Sequence, residues 1–248
     1  MRLAIATLMG AVALTPSVQA SNWTGQGELG LAAARGNARS ENLNAKLDFV
    51  NEDDQWKHAF NVSVLRAKGE VSGDFDGDGT PEERFELNAN RYELGASSAM
   101  KMNERSSWIA ALRHEKDDFA SYETQSTFSI GYGYTVFDTE ASALTLELGP
   151  GFRRAKVAAT GDTESSMIAR GLVDYRRSLT ANTNLTNTLL IESGSDNTFA
   201  QNIFGVAVAM NDKLALKFGL EARYNSETTP GTKSTDTLTT MNLVYSFK

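Results

Sequence analysis

The stretch FSIGYGYTV, Phe128–Val136, alternates without a break. Phe128, Ile130, Tyr132, Tyr134 and Val136 fall on one side, and Ser129, Gly131, Gly133 and Thr135 on the other. A period of two marks an extended strand whose two faces meet different surroundings. One face is bulky and apolar, the other small or hydroxylated, so the second is expected to look into a confined polar space.

The same arrangement recurs on both sides of this stretch. In LTLELGPGFRR, Leu144, Leu146, Leu148, Pro150 and Phe152 oppose Thr145, Glu147, Gly149, Gly151 and Arg153. LALKFGLEARY sets Leu214, Leu216, Phe218, Leu220, Ala222 and Tyr224 against Ala215, Lys217, Gly219, Glu221 and Arg223. Strands are expected near 23–35, 40–51, 56–70, 84–101, 107–117, 122–136, 143–156, 166–179, 184–193, 198–210, 214–224 and 237–247. Twelve is an even number, as single-chain bacterial outer-membrane barrels require.

The connections alternate in character. NEDDQ (51–55), NERS (103–106), DTEA (138–141), TANT (180–183) and NDK (211–213) are short and turn-like. The other set is more varied and includes the longest: VSGDFDGDGTPEE (71–83), AATGDTES (158–165) and NSETTPGTKSTD (225–236). Short periplasmic turns and longer external loops are the habit of membrane barrels. Trp23, Trp56, Trp108, Tyr134, Phe137, Tyr245 and Phe247 collect near strand ends, several beside the short turns, where an interfacial collar belongs. A soluble sandwich or lipocalin-like barrel also alternates, but its polar face is its outside. Here that face is rich in Gly, Ser and Thr with charges of both signs, which suits a lumen. The expected fold is therefore all-β, a single antiparallel transmembrane barrel of about twelve strands over residues 21–248.

The chain has 248 residues, no cysteine, a formal charge of −7 and 41% apolar residues, an ordered composition. A mean hydropathy of −0.34 argues against a helical membrane protein. The acidic balance lacks the basic stripe that nucleic-acid binding needs. MRLAIATLMGAVALTPSVQA, residues 1–20, joins one basic residue, an apolar run and a Val-Gln-Ala exit, the three parts of a cleavable secretory signal. Export through the periplasm to an outer membrane follows as an expectation. With no disulfide available in an exported chain, closure of the sheet must supply the stability.

Parity assigns an inward set of charges. It comprises Glu28, Lys46, Asp48, Arg113 and Glu115 in the first half, then Glu147, Arg153, Arg170, Asp174, Arg176 and Glu192. Lys217, Glu221 and Arg223 complete it. Two uses are open: pairs that neutralise one another and fill the barrel, or a narrow polar pore that filters solutes. Twelve strands lie between small filled barrels and wide porins, and long Arg and Glu side chains favour the filled or narrow case. A passive channel for small polar solutes is the alternative, and binding through external loops a third.

Catalysis needs a base, and the only histidines are His58 and His114. Both fall on the apolar, outward face, and no nucleophile motif accompanies either. No enzymatic role is expected. DFDGDGTPEERFE, Asp74–Glu86, resembles the opening of a calcium loop. Asp74, Asp76 and Asp78 take positions 1, 3 and 5, Gly79 takes position 6 and Glu82 position 9. Position 12, which should supply a bidentate glutamate, is Phe85. A weak calcium site competes with a solvated acidic hairpin tip in which Asp and Gly serve turn chemistry.

WTGQGELGLAAARGNARSENLNAKLDF, Trp23–Phe49, combines a tryptophan, spaced glycines and a Gly-Asn turn before a second alternating strand. It resembles the salt-induced outer-membrane proteins of the YdiY type, otherwise described as a domain of unknown function. The ending LTTMNLVYSFK resembles the last strand of such proteins and the C-terminal signal read by the barrel assembly machinery, with Phe247 penultimate. The resemblance implies a Gram-negative outer membrane, contact with its lipid and a role in salt response. It brings no catalytic residues and no cofactor.

Overall fold

The computed structural model describes residues 23–34, 39–228 and 233–247. The signal expected over residues 1–20 lies outside them. All regular structure among the described residues is strand. The first six strands are β1 (Trp23–Ala34), β2 (Ser40–Glu52), β3 (Trp56–Gly73), β4 (Glu82–Lys101), β5 (Ser106–Asp117) and β6 (Tyr122–Asp138). The second six are β7 (Ser142–Val157), β8 (Thr163–Thr180), β9 (Thr183–Gly194), β10 (Thr198–Ala209), β11 (Leu214–Asn225) and β12 (Thr235–Phe247). Each pairs antiparallel with its sequence neighbours, and β1 pairs with β12 to close the barrel.

Strand centres fall where alternation puts them, and the differences are at hairpin tips. β3 runs to Gly73 and β4 starts at Glu82 because the ladder continues through Val71↔Arg84 and Gly73↔Glu82, beyond any apolar alternation. Polar tip residues are held there by backbone pairing alone. The short turns use side-chain caps. Asp53 Oδ1 accepts the N–H groups of Gln55 (2.8 Å) and Trp56 (2.7 Å), and Asn211 Oδ1 does the same for Lys213 and Leu214.

The two faces separate as the pleat requires. In β6, Phe128 and Ile130 are 44% and 50% exposed, while Thr127 and Ser129 are each 5% exposed. A register shift between Thr135 and Phe137 puts Val136 and Phe137 both at the outside, so the aromatic escapes strict alternation. The outward surface is a continuous apolar band, far larger than a water-soluble monomer exposes. Trp23, Trp56 and Trp108 stand at its lower edge, and Tyr245 packs on Phe247 with ring centroids 6.2 Å apart. A second collar of Tyr92, Phe128, Phe152 and Tyr224 stands at the opposite edge.

Inside, glycines let β6 and β7 come together. A Cβ on Gly149 would overlap the Ile130 carbonyl and the Gly131 Cα, and one on Gly131 would lie 2.9 Å from the Leu148 oxygen. The glycines in this stretch are therefore a steric requirement of tight curvature.

Candidate functional site: a charged layer across the lumen

Five strands send charged side chains inward at about one level, and a sixth adds an aromatic ring, in the half of the barrel nearer the long loops. Arg91 and Glu93 come from β4, Arg113 and Glu115 from β5, Glu192 from β9, and Glu221 and Arg223 from β11. Phe199 enters from β10 and Arg153 from β7. Arg113 sits 2.8 Å from Glu115 and 2.8 Å from Glu192, with Glu93 at 3.6 Å. Arg223 bonds Glu115 closely and lies 3.4 Å from Glu221, which Arg91 reaches at 2.8 Å. Phe199 is wholly buried between the two guanidinium groups, at 4.5 Å from Arg113 and 5.0 Å from Arg223.

Burial is deepest at the centre of this layer. Arg153 and Glu192 are 0% exposed and Glu115 is 1% exposed. Such charges survive burial only when paired and hydrogen-bonded. Thr127 Oγ1 donates to Glu192 at 3.0 Å, and Gln201 Nε2 donates to Glu221 at 3.1 Å. Two buried atoms, Arg113 Nε and Gln125 Oε1, lack a hydrogen-bond partner among the described residues. A latch from the β9–β10 connection completes the layer. Asp196 accepts Arg153 Nη2 at 2.6 Å and Ser166 Oγ at 2.6 Å. Burial works against the Asp196 charge, but the hydrogen bonds from Arg153 and Ser166 prevail and hold its carboxyl below the usual range.

Below the layer the lumen opens into two cavities. One of about 240 Å³ touches Asn61, Gly95, Arg113, Glu147, Arg170 and Gln201. The other, about 130 Å³, touches Glu28, Lys46, Arg91, Lys217, Glu221 and Asn242. Arg170 pairs with Glu147 at 2.9 Å, Lys217 with Glu28 at 2.6 Å and Lys46 with Asp48 at 3.2 Å. Asn242 Nδ2 adds a donor to Glu28 at 3.1 Å. Asp174 accepts from Thr188 at 3.2 Å, and Arg176 is exposed toward the short-turn mouth.

Strand register turns every charge of the inward set to the lumen, but they do not form one cluster. Arg113, Glu115, Glu192, Glu221 and Arg223 meet in the layer; Glu28, Lys46, Asp48, Glu147, Arg170 and Lys217 form separate pairs lower down, Arg153 lies beside the layer, and Asp174 and Arg176 stand apart from it. Sequence reading missed Arg91 and Glu93, although Tyr92 and Leu94 between and beyond them face outward and supply the parity. It also missed Phe199, whose apolar bulk reads as outward although its parity with Gln201 and Gly205 points inward.

His58 stacks on Trp56 at 5.8 Å between ring centroids, on the outside. His114 Nδ1 lies 2.8 Å from Ser126 Oγ, also outside, at the level of the upper collar. In the acidic loop, carboxylate oxygens of Asp74, Asp76 and Asp78 lie within 4.8 Å of one another, all exposed. Asp74 accepts the N–H groups of Gly77 and Gly79, whose φ angles of +79° and +84° require glycine. Glu82 is a correction to the expected ligand set: it opens β4 and pairs with Arg84 at 3.1 Å, apart from the aspartates. Extension of the hairpin ladder draws it away.

The profile of a family described as "Protein of unknown function, DUF481" matches residues 27–247. Comparison with curated protein sequences yields no match. Among solved structures, the NanC porin is 9% identical with a TM-score of 0.53, covering 91% of this chain and 99% of its own. The KdgM porin is 11% identical with a TM-score of 0.45, covering 91% and 99%. The translocator domain of the autotransporter NalP from Neisseria meningitidis is 11% identical with a TM-score of 0.47, covering 91% and 87%. At these identities the likeness is one of fold: the chain is an outer-membrane-type β-barrel.

Proposed function

Because the chain belongs to the DUF481 family of proteins of unknown function, its role is read from its own lumen, and we propose that it is a non-enzymatic outer-membrane protein whose barrel is closed at rest. It serves envelope adaptation, with salt as the condition suggested by the resemblance of its first hairpin. The observation that carries this reading is the buried layer of Arg113, Glu115, Glu192, Phe199 and Arg223, whose paired side chains occupy the lumen at that level. Ion pairs sealed from solvent are weakly screened, so such a layer tolerates changing ionic strength better than a surface network would. Export depends on the residue 1–20 signal, and insertion on the barrel assembly machinery reading the last strand.

Conductance in planar bilayers tests the closure. Refolded wild-type protein is expected to be silent, and steady ohmic openings would sink the reading. Growth of a deletion strain across a salt series tests the adaptation role separately, and equal growth at all salts would remove it. The two cavities favour one second reading, a passive channel for small polar solutes with the layer as its gate. Removing the layer by Arg113→Ala with Arg223→Ala would then raise solute flux into proteoliposomes, and flux in the wild type would distinguish a leaky pore from a sealed one. For the acidic loop the proposal is narrower: three carboxylates offer calcium an exposed, incomplete shell that would brace the β3–β4 tip without affecting the lumen.

A further inference from the structure

We propose that the outer face of β1–β3, near the long-loop end, binds a phosphate-bearing membrane lipid. A groove of about 490 Å³ lies there, walled by Leu31, Ala33, Leu43, Arg66 and Lys68. Its two halves differ chemically. Leu31 is 71% exposed, the most exposed large apolar side chain among the described residues. Arg66 has no ion pair or hydrogen bond among the described residues, and Lys68 has only the Phe85 ring, at 5.9 Å. Most lumen cations, by contrast, are paired. The one carboxylate lining the groove, Glu41, is engaged by Arg39 at 3.6 Å.

The level is that of lipid headgroups. Along β3 the outward residues run Trp56, His58, Phe60, Val62, Val64, Arg66 and Lys68. At ~3.3 Å per residue and a tilt of about 40°, Arg66 stands roughly 25 Å above Trp56, the height of the apolar band of such barrels. Apolar side chains end where the two cations begin. An acyl chain along Leu31 and Leu43 thus places its phosphate between Arg66 and Lys68, with charge meeting charge.

The seam beside the groove adds a second reason. Among the described residues β1 pairs with β12 only over Gly25–Leu29, although β1 continues to Ala34 and pairs with β2 throughout. Leu31, Ala32, Ala33 and Ala34 are all exposed, on both faces of the strand. On β12 the outward residues above Met241 are Thr239, Thr237 and Thr235 instead of apolar ones, beside Leu220, Ala222 and Tyr224 of β11. A strand edge left open at the rim of the hydrocarbon must find polar partners, and this notch offers its N–H groups to headgroup oxygens. A lipid phosphate and its glycerol or sugar oxygens at the rim supply acceptors for those N–H and O–H groups.

The site requires only that the barrel sit in a bilayer, so it stands or falls apart from closure of the lumen. The chain has no cysteine, and Leu29→Cys therefore takes a single fluorescent label just below the groove. The labelled protein is refolded into phosphatidylcholine vesicles carrying brominated phosphatidic acid or brominated phosphatidylcholine at equal fractions. Quenching is expected to favour phosphatidic acid severalfold, and Arg66→Gln and Lys68→Gln are each expected to lower the preference about fivefold at most. Lys213→Gln, at a short turn on the opposite rim, leaves it unchanged. Equal quenching by both lipids, or a preference that survives the Arg66→Gln/Lys68→Gln double variant in folded protein, would overturn the proposal.

Discussion

At the residue scale, single side chains carry large and different loads. Arg113 touches three carboxylates from three strands, and deleting it strands buried negative charge. Removing one partner of such a pair costs about 3–5 kcal/mol. Arg113→Ala is expected to lower the urea midpoint of the refolded barrel, whereas Arg176→Ala, exposed at the other mouth, is expected to leave it unchanged. Gly149 makes a steric prediction. Gly149→Ala must push β6 from β7, a cost of roughly 1–3 kcal/mol by analogy with overpacking, read as a lower denaturant midpoint. If it folds with wild-type stability, the close approach is not tight. Asp196 makes an electrostatic one. Its pKa is depressed in the folded state, so its contribution is complete above the unfolded value of about 3.9 and lost as pH falls through the depressed one. Protease access to the 195–197 connection is therefore expected to rise only in acid, and Asp196→Asn to show the change already at neutral pH.

Among the elements, β1 and β12 are the informative pair. A barrel is as secure as its closing seam, and here five rungs join the first strand to the last. Cysteines at Leu29 and Leu243, paired in that register, are expected to form a disulfide under mild oxidation. Cysteines at Ala33 and Thr239, beyond the last rung, are expected to remain free. Ready cross-linking of the second pair would mean that the seam zips to its top. The β3–β4 hairpin is the other outlier, projecting past β2 and β5. Arg39 over Phe85 at 3.9 Å and Arg84 over Phe75 at 4.3 Å stiffen it. Calcium is expected to protect the amides of Gly77 and Gly79 from hydrogen exchange at millimolar concentration. Exchange that ignores calcium would dispose of the metal reading.

For the whole molecule, position in the bilayer and closure of the lumen are separate matters. The outer band depends on side-chain polarity along each strand, which any twelve-residue stretch displays on its own. Phe128–Val136 is enough to read it, and Trp23, Trp56 and Trp108 mark one boundary because local chain position puts them beside turns. The opposite collar of Tyr92, Phe128, Phe152 and Tyr224 is less legible, since those residues lie inside strands whose tips extend beyond the membrane.

What the amino-acid sequence determines by itself is therefore everything that has a period: twelve strands, their order, which side chain turns in, and that the inner face is polar. These follow from sterics and solvation within one strand. Partnership needed the closed barrel. Glu28 meets Lys217, Arg113 meets Glu192, and Arg223 meets Glu115 only because closure and strand stagger bring remote strands to one level. Phe199 shows the limit most clearly. Its apolar bulk reads as outward, yet it shares the parity of Gln201 and Gly205 and turns inward, where closure brings two guanidinium groups from other strands onto its ring.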